Sequence, residues 1–207
     1  MRRLLSFHAL LVYLFLYLPI LVVVALSFNE SRRGVHFTGF TLKWYQGLFQ
    51  DPRVLEYFAN TLVVALVSTL VSTVLGTLLA LGLVRYRFPG KGFLRYLLYV
   101  PVVVPDVVMG VSLLLLFAFS RELLGFPRLS LLTVILGHIT FQVAFVTLVV
   151  RSRLLLLDPA LEEASAVLGA GRLRTFLWVI LPTVLPALLT GFALSFARAL
   201  AFDRPVL

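Results

Sequence analysis

The sequence predicts an all-α membrane protein, a polytopic bundle of transmembrane helices. Its 207 residues are 61% hydrophobic and 13% charged, and the mean hydropathy is +1.05, whereas soluble domains have about half apolar and about a quarter charged residues. Five apolar runs reach the roughly 20 residues that cross a bilayer: about 9–28, 60–84, 93–119, 131–150 and 183–203. Since backbone polar groups must be satisfied within the hydrocarbon, we expect helices, forming a single transmembrane domain over residues 1–207.

Composition also excludes several classes of site. The chain has no cysteine, so it has no disulfide, thiolate metal site or cysteine nucleophile. The net charge of +9 comes from Lys and Arg beside apolar runs. That pattern is typical of loops at lipid headgroups. We therefore expect a lipid membrane as the partner of these charges, and no nucleic acid.

The first apolar run has two interpretations. Arg2 and Arg3 before it, and small residues near its end, resemble a signal peptide. The uncharged stretch 9–26 is longer than the roughly 7–15 residues of a signal core, which favours an uncleaved first span.

The segment 29–59 is polar, and Gly34 and Gly39 indicate an irregular first part. After it, aromatic and apolar residues at helical spacing predict a short interfacial helix over 41–49: Trp44, Tyr45, Leu48 and Phe49. Asp51-Pro52 then predicts the start of the helix that contains the second span.

The second span carries small residues at every fourth position: Ser68, Ser72, Gly76 and Ala80. Such a stripe allows helix backbones to approach closely. We interpret it as a packing surface rather than a ligand site.

Two polar features lie inside later runs. Pro101 and Pro105 bend the third run, and the next residue, Asp106, is an acid within an apolar stretch. Asp106 either faces a substrate pathway or caps a helix that restarts after Pro105. In the fourth run, His138 lacks other ligands at metal spacing, so interhelical hydrogen bonding is the favoured interpretation.

Positive residues set the expected orientation. With the N-terminus in the cytoplasm, the inward side carries ten of the 18 Lys and Arg residues, at positions 2, 3, 85, 87, 91, 95, 151, 153, 172 and 174. An excess of positive charge beside the spans marks the cytoplasmic side. The 151–182 loop is then cytoplasmic.

That loop contains a predicted amphipathic helix. Asp158-Pro159 is a typical start, Glu162 and Glu163 suit the positive end of the helix dipole, and Gly169 predicts the stop. Apolar residues recur at spacings of three and four: Leu161, Ala164, Val167 and Leu168. A helix of about ten residues is marginal alone, so its stripe is predicted to dock on another protein.

The same residues carry a family resemblance. Glu163-Ala164-Ser165, then Gly169, then Val179-Ile180-Leu181-Pro182 resembles the EAA loop of ATP-binding-cassette (ABC) importer permeases. In that family Ala is usual at the position of Ser165 and Ile at that of Val179. Further segments are similar to the second permease subunit of spermidine/putrescine importers: Ser27-Phe28-Asn29, Gly39-Phe40-Thr41, Lys43-Trp44-Tyr45, Tyr86-Arg87-Phe88, Pro105-Asp106 and His138-Ile139-Thr140-Phe141.

The resemblance implies a type I ABC importer permease fold and a non-catalytic subunit that moves a small solute, a polyamine, by alternating access. It implies a second permease subunit, a cytoplasmic ATPase dimer, an extracytoplasmic solute-binding protein, and a location in the cell membrane. No cofactor, metal or catalytic residue is expected. The implied ATPase-coupling residues are Leu161, Glu162, Glu163, Ala164, Ser165, Leu168, Gly169, Leu181 and Pro182. Glu163 is expected to make the ionic contact and Asp106 to line the solute path.

The chain departs from the family at its end. Similarity stops near Phe196, where such permeases continue into a sixth span, and Arg198 lies where they tend to carry acid. A truncated or frameshifted end is the expectation.

Two other functions stay open from the residues alone. A secondary transporter or channel without an ATPase generally needs several intramembrane charges and often shows inverted repeats. An intramembrane enzyme needs converging Ser, His, Asp or metal ligands at membrane depth.

Overall fold

The computed structural model describes residues 2–31 and 36–202, and the regular elements in these ranges are helices. They are α1 (Arg2–Ser27), α2 (Lys43–Gln50), α3 (Pro52–Arg85), α4 (Lys91–Leu97), α5 (Val100–Val103), α6 (Asp106–Leu124), α7 (Leu131–Leu155), α8 (Ala160–Val167), α9 (Arg172–Thr175), a π-helical turn (Phe176–Ile180) and α10 (Leu181–Phe202). Within the described residues, five helices are long and apolar enough to cross a membrane. The predicted all-α transmembrane bundle is confirmed.

The chain divides into two compact units, and the boundary along the chain lies between Phe58 and Ala59. In the first unit, the buried side chain of Asn29 organises the loop after α1. Its Nδ2 donates to the carbonyl oxygen of His36 at 2.6 Å, and its Oδ1 accepts from the N–H of Thr38 at 2.9 Å. The Trp44 indole N–H donates to the Asn29 carbonyl oxygen at 2.9 Å. Asn29 therefore fixes the loop against α2, while Gly34 lies outside the described residues.

The short helix predicted over 41–49 is confirmed as α2. The start of the next helix also follows the prediction, because Asp51 Oδ1 accepts from the N–H of Arg53 at 2.9 Å and Pro52 is the first residue of α3. Proline suits this position since the first-turn N–H groups have no partner within the helix.

In the second unit, the small-residue stripe of α3 packs against α7. All four of its residues are buried, and a Cβ atom built on Gly76 would lie 2.8 Å from the Cβ of Val146. The Thr147 hydroxyl also lies 3.2 Å from the carbonyl oxygen of Gly76. The stripe is confirmed as a helix-packing surface.

The core of the second unit lies mainly between α7 and α10. Its buried members are Ala80, Val146, Val150, Leu154, Leu157, Ile180 and Val184. Two interhelical hydrogen bonds accompany this packing: Arg153 Nε donates to the Thr183 carbonyl oxygen at 3.2 Å, and Gln142 Nε2 donates to the Ser195 carbonyl oxygen at 3.3 Å. These contacts fix the relative register of α7 and α10.

The continuous span expected at 93–119 is wrong. The structure divides this stretch into α4, α5 and α6, and only α6 is long enough to cross. Proline disfavours helical geometry in the residue before it, and Val104 before Pro105 is extended, with φ −74° and ψ 132°. The spanning helix therefore starts at Asp106.

The start of the fifth span at 183 is also wrong. Helical structure runs from Arg172 through the π-helical turn into α10. Pro182 has no N–H to donate to the Trp178 carbonyl, so a regular α-helix is interrupted there. In the wider turn, the Leu181 N–H reaches the Phe176 carbonyl and the helix continues.

Candidate functional site

The predicted loop helix is α8, and local contacts define both of its ends. At the start, Asp158 Oδ1 accepts from the Ala160 N–H at 2.9 Å. At the end, the N–H of Gly169 donates to the Ala166 carbonyl and the N–H of Ala170 to the Ser165 carbonyl, both at 3.0 Å. This pair of bonds is a Schellman motif, which requires a left-handed residue, and Gly169 has φ +81°. The eight-residue helix therefore has a fixed length.

One side of α8 is attached to the rest of the second unit. Glu162 forms an ion pair with Arg85 in the last turn of α3, and both side chains are about three-quarters buried. One turn further along, the hydroxyls of Ser165 and Thr175 are hydrogen-bonded at 3.0 Å, which joins α8 to α9. Glu162 and Ser165 were both expected to contact an ATPase, and the structure places them on the attached side.

Apart from these two attached residues, α8 is exposed and largely apolar. Val167 and Leu168 are 87% and 86% exposed, and Leu161 is also exposed. Glu163 and Ala164 are exposed too. Val167 belongs to the predicted apolar stripe but was not among the expected coupling residues. Its exposure adds it to the candidate docking residues, and the family motif does not identify it. These five residues are hereafter the outer face of α8.

Two expected coupling residues lie elsewhere. Leu181 and Pro182 form the first turn of α10. Besides the ion pair with Arg85, α8 packs against α9 and the π-helical turn that precedes these residues. These two residues of the sequence motif therefore belong to the helix that follows the loop, and not to the outer face of α8.

A second site is a cavity of about 240 Å³ between α6, α7 and α10. Asp106 is at its edge, in the first turn of α6, and its Oδ1 lies 2.5 Å from the guanidinium Nη2 of Arg198. Asp106 is thus the first residue of α6 and lines the cavity, while the described helix start has no side-chain capping hydrogen bond. The sequence did not identify Arg198 as the partner of Asp106, because the two residues are 92 positions apart and no short-range pattern links them.

The cavity wall also carries buried polar atoms. Gln142 and Ser195 are 3% and 1% exposed, and among the described residues Gln142 Oε1 and Ser195 Oγ have no hydrogen-bond partner. His138 lines the cavity as well. In the described parts of the chain, no three His, Asp or Glu side chains come close enough together to hold a metal ion.

Among the described residues, five helices long enough to cross a membrane and a short loop helix with an exposed apolar face define the class of protein: a polytopic membrane protein. Residues 72–202 match the family described as binding-protein-dependent transport system inner membrane component. The chain belongs to this family, and the resemblance to ABC importer permeases is confirmed.

Individual relatives support this family assignment, and a solved structure has the same fold. The chain is 39% identical over 189 residues to the spermidine/putrescine transport system permease protein PotC of Escherichia coli (strain K12), covering 91% of this chain and 70% of the relative. It is 38% identical over 193 residues to the putrescine transport system permease protein PotI of the same strain, covering 92% and 69%. A chain in the crystal structure of a bacterial ABC transporter involved in alginate import has the same fold, with a TM-score of 0.73 at 18% identity over 97% of this chain and 73% of that one.

Proposed function

We propose that this chain is the permease subunit of an ABC importer for a polyamine. Similarity to two permeases named for spermidine and putrescine supports the solute class. In this proposal a second permease subunit completes the pathway, an extracytoplasmic solute-binding protein delivers the polyamine, and a cytoplasmic ATPase dimer drives alternating access. The chain itself is the non-catalytic part.

The outer face of α8 is the proposed docking surface for the ATPase. The observation that carries this is the division of α8 into an attached side and an exposed apolar side. A free helix of eight residues is marginal in water, so the contacts of Glu162 and Ser165 are needed to hold it in shape. Its apolar residues then suit a groove in a partner, as amphipathic helices do.

Glu163 adds a charge to this surface. It is exposed and adjacent in space to the apolar residues of the outer face. A basic side chain at the edge of the ATPase groove is the complementary group that we propose. Such rim charges favour the correct partner and orientation more than they raise affinity.

Cysteine cross-linking tests the docking. Because the chain has no native cysteine, Leu168→Cys introduces a unique thiol on the outer face. In the assembled transporter we expect it to cross-link to the ATPase, with a yield that changes when ATP is bound. Ser165→Cys, on the attached side, is the matched control and should give no ATPase adduct. Equal yields at both positions would contradict the proposal.

The same thiol tests the orientation. In right-side-out vesicles, a membrane-impermeant maleimide should leave Leu168→Cys unlabelled, and it should label the thiol in inside-out vesicles. Labelling from the outer side would contradict the cytoplasmic placement of the 151–182 loop. Uptake of radiolabelled putrescine and spermidine by the reconstituted transporter then tests the solute. Absence of ATP-dependent uptake of both would remove the polyamine assignment.

A further inference from the structure

We propose that α4 and the turn that precedes it bind the headgroups of anionic phospholipids. Arg87, Lys91 and Arg95 supply the positive charge, and the exposed side chains of Phe93 and Leu97 face the acyl chains. These five residues are hereafter the α4 surface. It is separate from the cavity and from the outer face of α8. The argument for it is its position beside the end of a membrane-crossing helix, so it depends on neither the proposed solute nor the proposed ATPase.

The packing of α4 indicates its depth in the membrane. Leu98 belongs to one buried cluster with Leu83 of α3, and Leu94 packs against this cluster. The helix α3 is long and apolar enough to cross a membrane, and its uncharged run continues to Val84, directly before Arg85. At a rise of about 1.5 Å per residue, Leu83 is only about 3 Å from the charged end of α3. Because α4 packs at this level, it lies at the boundary between hydrocarbon and headgroups.

The turn between α3 and α4 has a fixed shape. Gly90, directly before α4, has φ +80°, and its carbonyl oxygen accepts from the Leu94 N–H at 3.0 Å. Lys91 Nζ donates to the Tyr86 carbonyl oxygen at 2.8 Å. An ammonium group has three N–H donors, so two remain for an anion. The turn therefore holds the Lys91 charge beside the end of α3.

The positive charge of the α4 surface has no counter-ion among the described residues. Residues 86–105 contain Arg87, Lys91 and Arg95 but no acidic residue. The ion pairs that the described chain forms involve none of these three side chains, and Arg87 and Arg95 are exposed. Basic residues beside a membrane-crossing helix attract anionic lipids, and an Arg guanidinium can donate two parallel hydrogen bonds to a phosphate. A phosphodiester headgroup therefore supplies the missing negative charge.

The apolar side of α4 indicates a lipid rather than a soluble anion. Phe93 is 74% exposed, and Leu97 is exposed as well. Each lies two positions after a basic residue, Lys91 or Arg95, and two positions on an α-helix correspond to about 200°. The basic and the apolar residues therefore lie on opposite sides of α4. This arrangement is typical of a helix in the membrane interface, and Tyr96, which is 78% exposed, is of a residue type enriched at that depth.

A reporter on α4 makes the test specific to this surface. Because the chain has no native cysteine, Leu97→Cys provides a unique thiol for a fluorescent label on the apolar side. The labelled full-length chain is placed in phosphatidylcholine nanodiscs that contain a trace of nitroxide-labelled phosphatidylglycerol or nitroxide-labelled phosphatidylcholine. Fluorescence quenching then gives the relative affinity of the two lipids beside α4. We expect stronger quenching by the anionic phosphatidylglycerol, and equal quenching by both lipids would overturn the proposal.

Charge variants of the labelled chain test the basic residues. Arg95→Gln should lower the preference for phosphatidylglycerol about fivefold, whereas Arg95→Lys should retain it. Arg121→Gln is the matched control, because it removes a charge from the last turn of α6, outside the α4 surface, and it should leave the preference unchanged. An unchanged preference in Arg95→Gln, or an equal loss in Arg121→Gln, would reject the site.

Salt provides a second measurement that needs no charge variant, and it decides if Arg95→Gln does not fold. The preference of the labelled chain should disappear near about 1 M salt, where the screening length falls to about 3 Å. A preference that persists there would show that the charges of the α4 surface do not select the lipid.

Two competition measurements identify the occupant. Soluble glycerol phosphate carries the same anion without acyl chains and should leave the quenching unchanged; if it removes the preference, the surface binds soluble anions and the lipid assignment is wrong. Addition of the ATPase should also leave the preference unchanged, and its loss would make α4 a protein-docking surface instead. None of these measurements uses solute uptake, so a failure of polyamine transport would remove the proposed function and leave the lipid site standing.

Discussion

Replacing Gly76 by alanine should destabilise the membrane bundle, because this glycine is where α3 approaches α7 most closely among the described glycines of α3. The added Cβ would lie 2.8 Å from both Cβ and Cγ1 of Val146 and 3.1 Å from the backbone nitrogen of Thr147. Two of these atoms belong to the backbone or sit directly on it, so they cannot rotate away. The two helices must separate.

The magnitude follows from the distances. Non-bonded carbon atoms are at optimal separation at about 3.5 to 4.0 Å, so contacts of 2.8 Å require a local shift of roughly 0.7 to 1.2 Å. Overpacking of this kind typically costs about 1 to 3 kcal/mol. Alanine is also a better helix former than glycine, by about 0.8 to 1 kcal/mol, and this gain partly offsets the clash.

Gly82→Ala is the matched control, since a Cβ on Gly82 in the same helix meets nothing within 4 Å. The helix-propensity gain is common to both variants, so the difference between their free energies of unfolding isolates the clash. We expect Gly76→Ala to be less stable than Gly82→Ala by about 1 to 3 kcal/mol, measured by denaturant unfolding of the full chain in mixed micelles. Equal stabilities would show that close packing at Gly76 does not hold α3 against α7.

Three further predictions concern α8. Arg85→Glu should reduce ATP-driven uptake by detaching α8 from α3, and the exchange of charges with Glu162→Arg should restore part of it; failure of the exchange to restore any uptake would argue against the ion pair. Glu163→Lys should uncouple ATP hydrolysis from uptake without reducing the amount of protein in the membrane, whereas unchanged uptake would count against an ionic contact with the ATPase. Gly169→Ala, forced to φ +81°, should cost about 1 kcal/mol, seen as a lower melting temperature, and no change would mean that the helix end relaxes.

The features of α8 could be predicted from the sequence because they are local. Asp158 and Gly169 act on backbone groups within a few positions of themselves, so their residue types specify the start and the end. The same holds for Asp51 and Pro52 at the start of α3. Periodicity also identified the buried stripe around Gly76, since small residues at one helical face have few other uses in lipid.

The third and fifth spans were misplaced because hydropathy does not report helix continuity. Residues 93–119 are apolar throughout, and only the backbone restriction that Pro105 places on Val104 separates α5 from α6. In contrast, Pro182 interrupts the hydrogen-bond ladder without ending the helix, since the π-helical turn absorbs the missing N–H. The same residue type therefore has opposite consequences, which depend on the tertiary setting.

Residues that act across the fold were beyond sequence reasoning. Arg198 looked like a departure from the family, yet it pairs with Asp106 at the cavity. The hydrogen bond from Gln142 to Ser195 likewise joins residues 53 positions apart. No spacing rule connects such pairs, because their proximity is set by the packing of α6, α7 and α10.

The two adjacent acidic residues of α8 show how one short helix can both bind a partner and transmit force. Consecutive residues on an α-helix point about 100° apart, so Glu162 and Glu163 point in different directions. Glu162 is paired with Arg85 at the end of α3, and Glu163 is exposed on the outer face. In the proposed function, a force applied to the outer face by an ATPase would be transmitted to α3 through the ion pair and to α10 through α9 and the π-helical turn. If Glu162 were replaced, α8 could still dock on the ATPase. It would then rotate about its own axis instead of moving α3. In the proposed function, docking and force transmission would therefore depend on different residues of the same turn, and variants at 162 and 163 should separate ATPase binding from coupled transport.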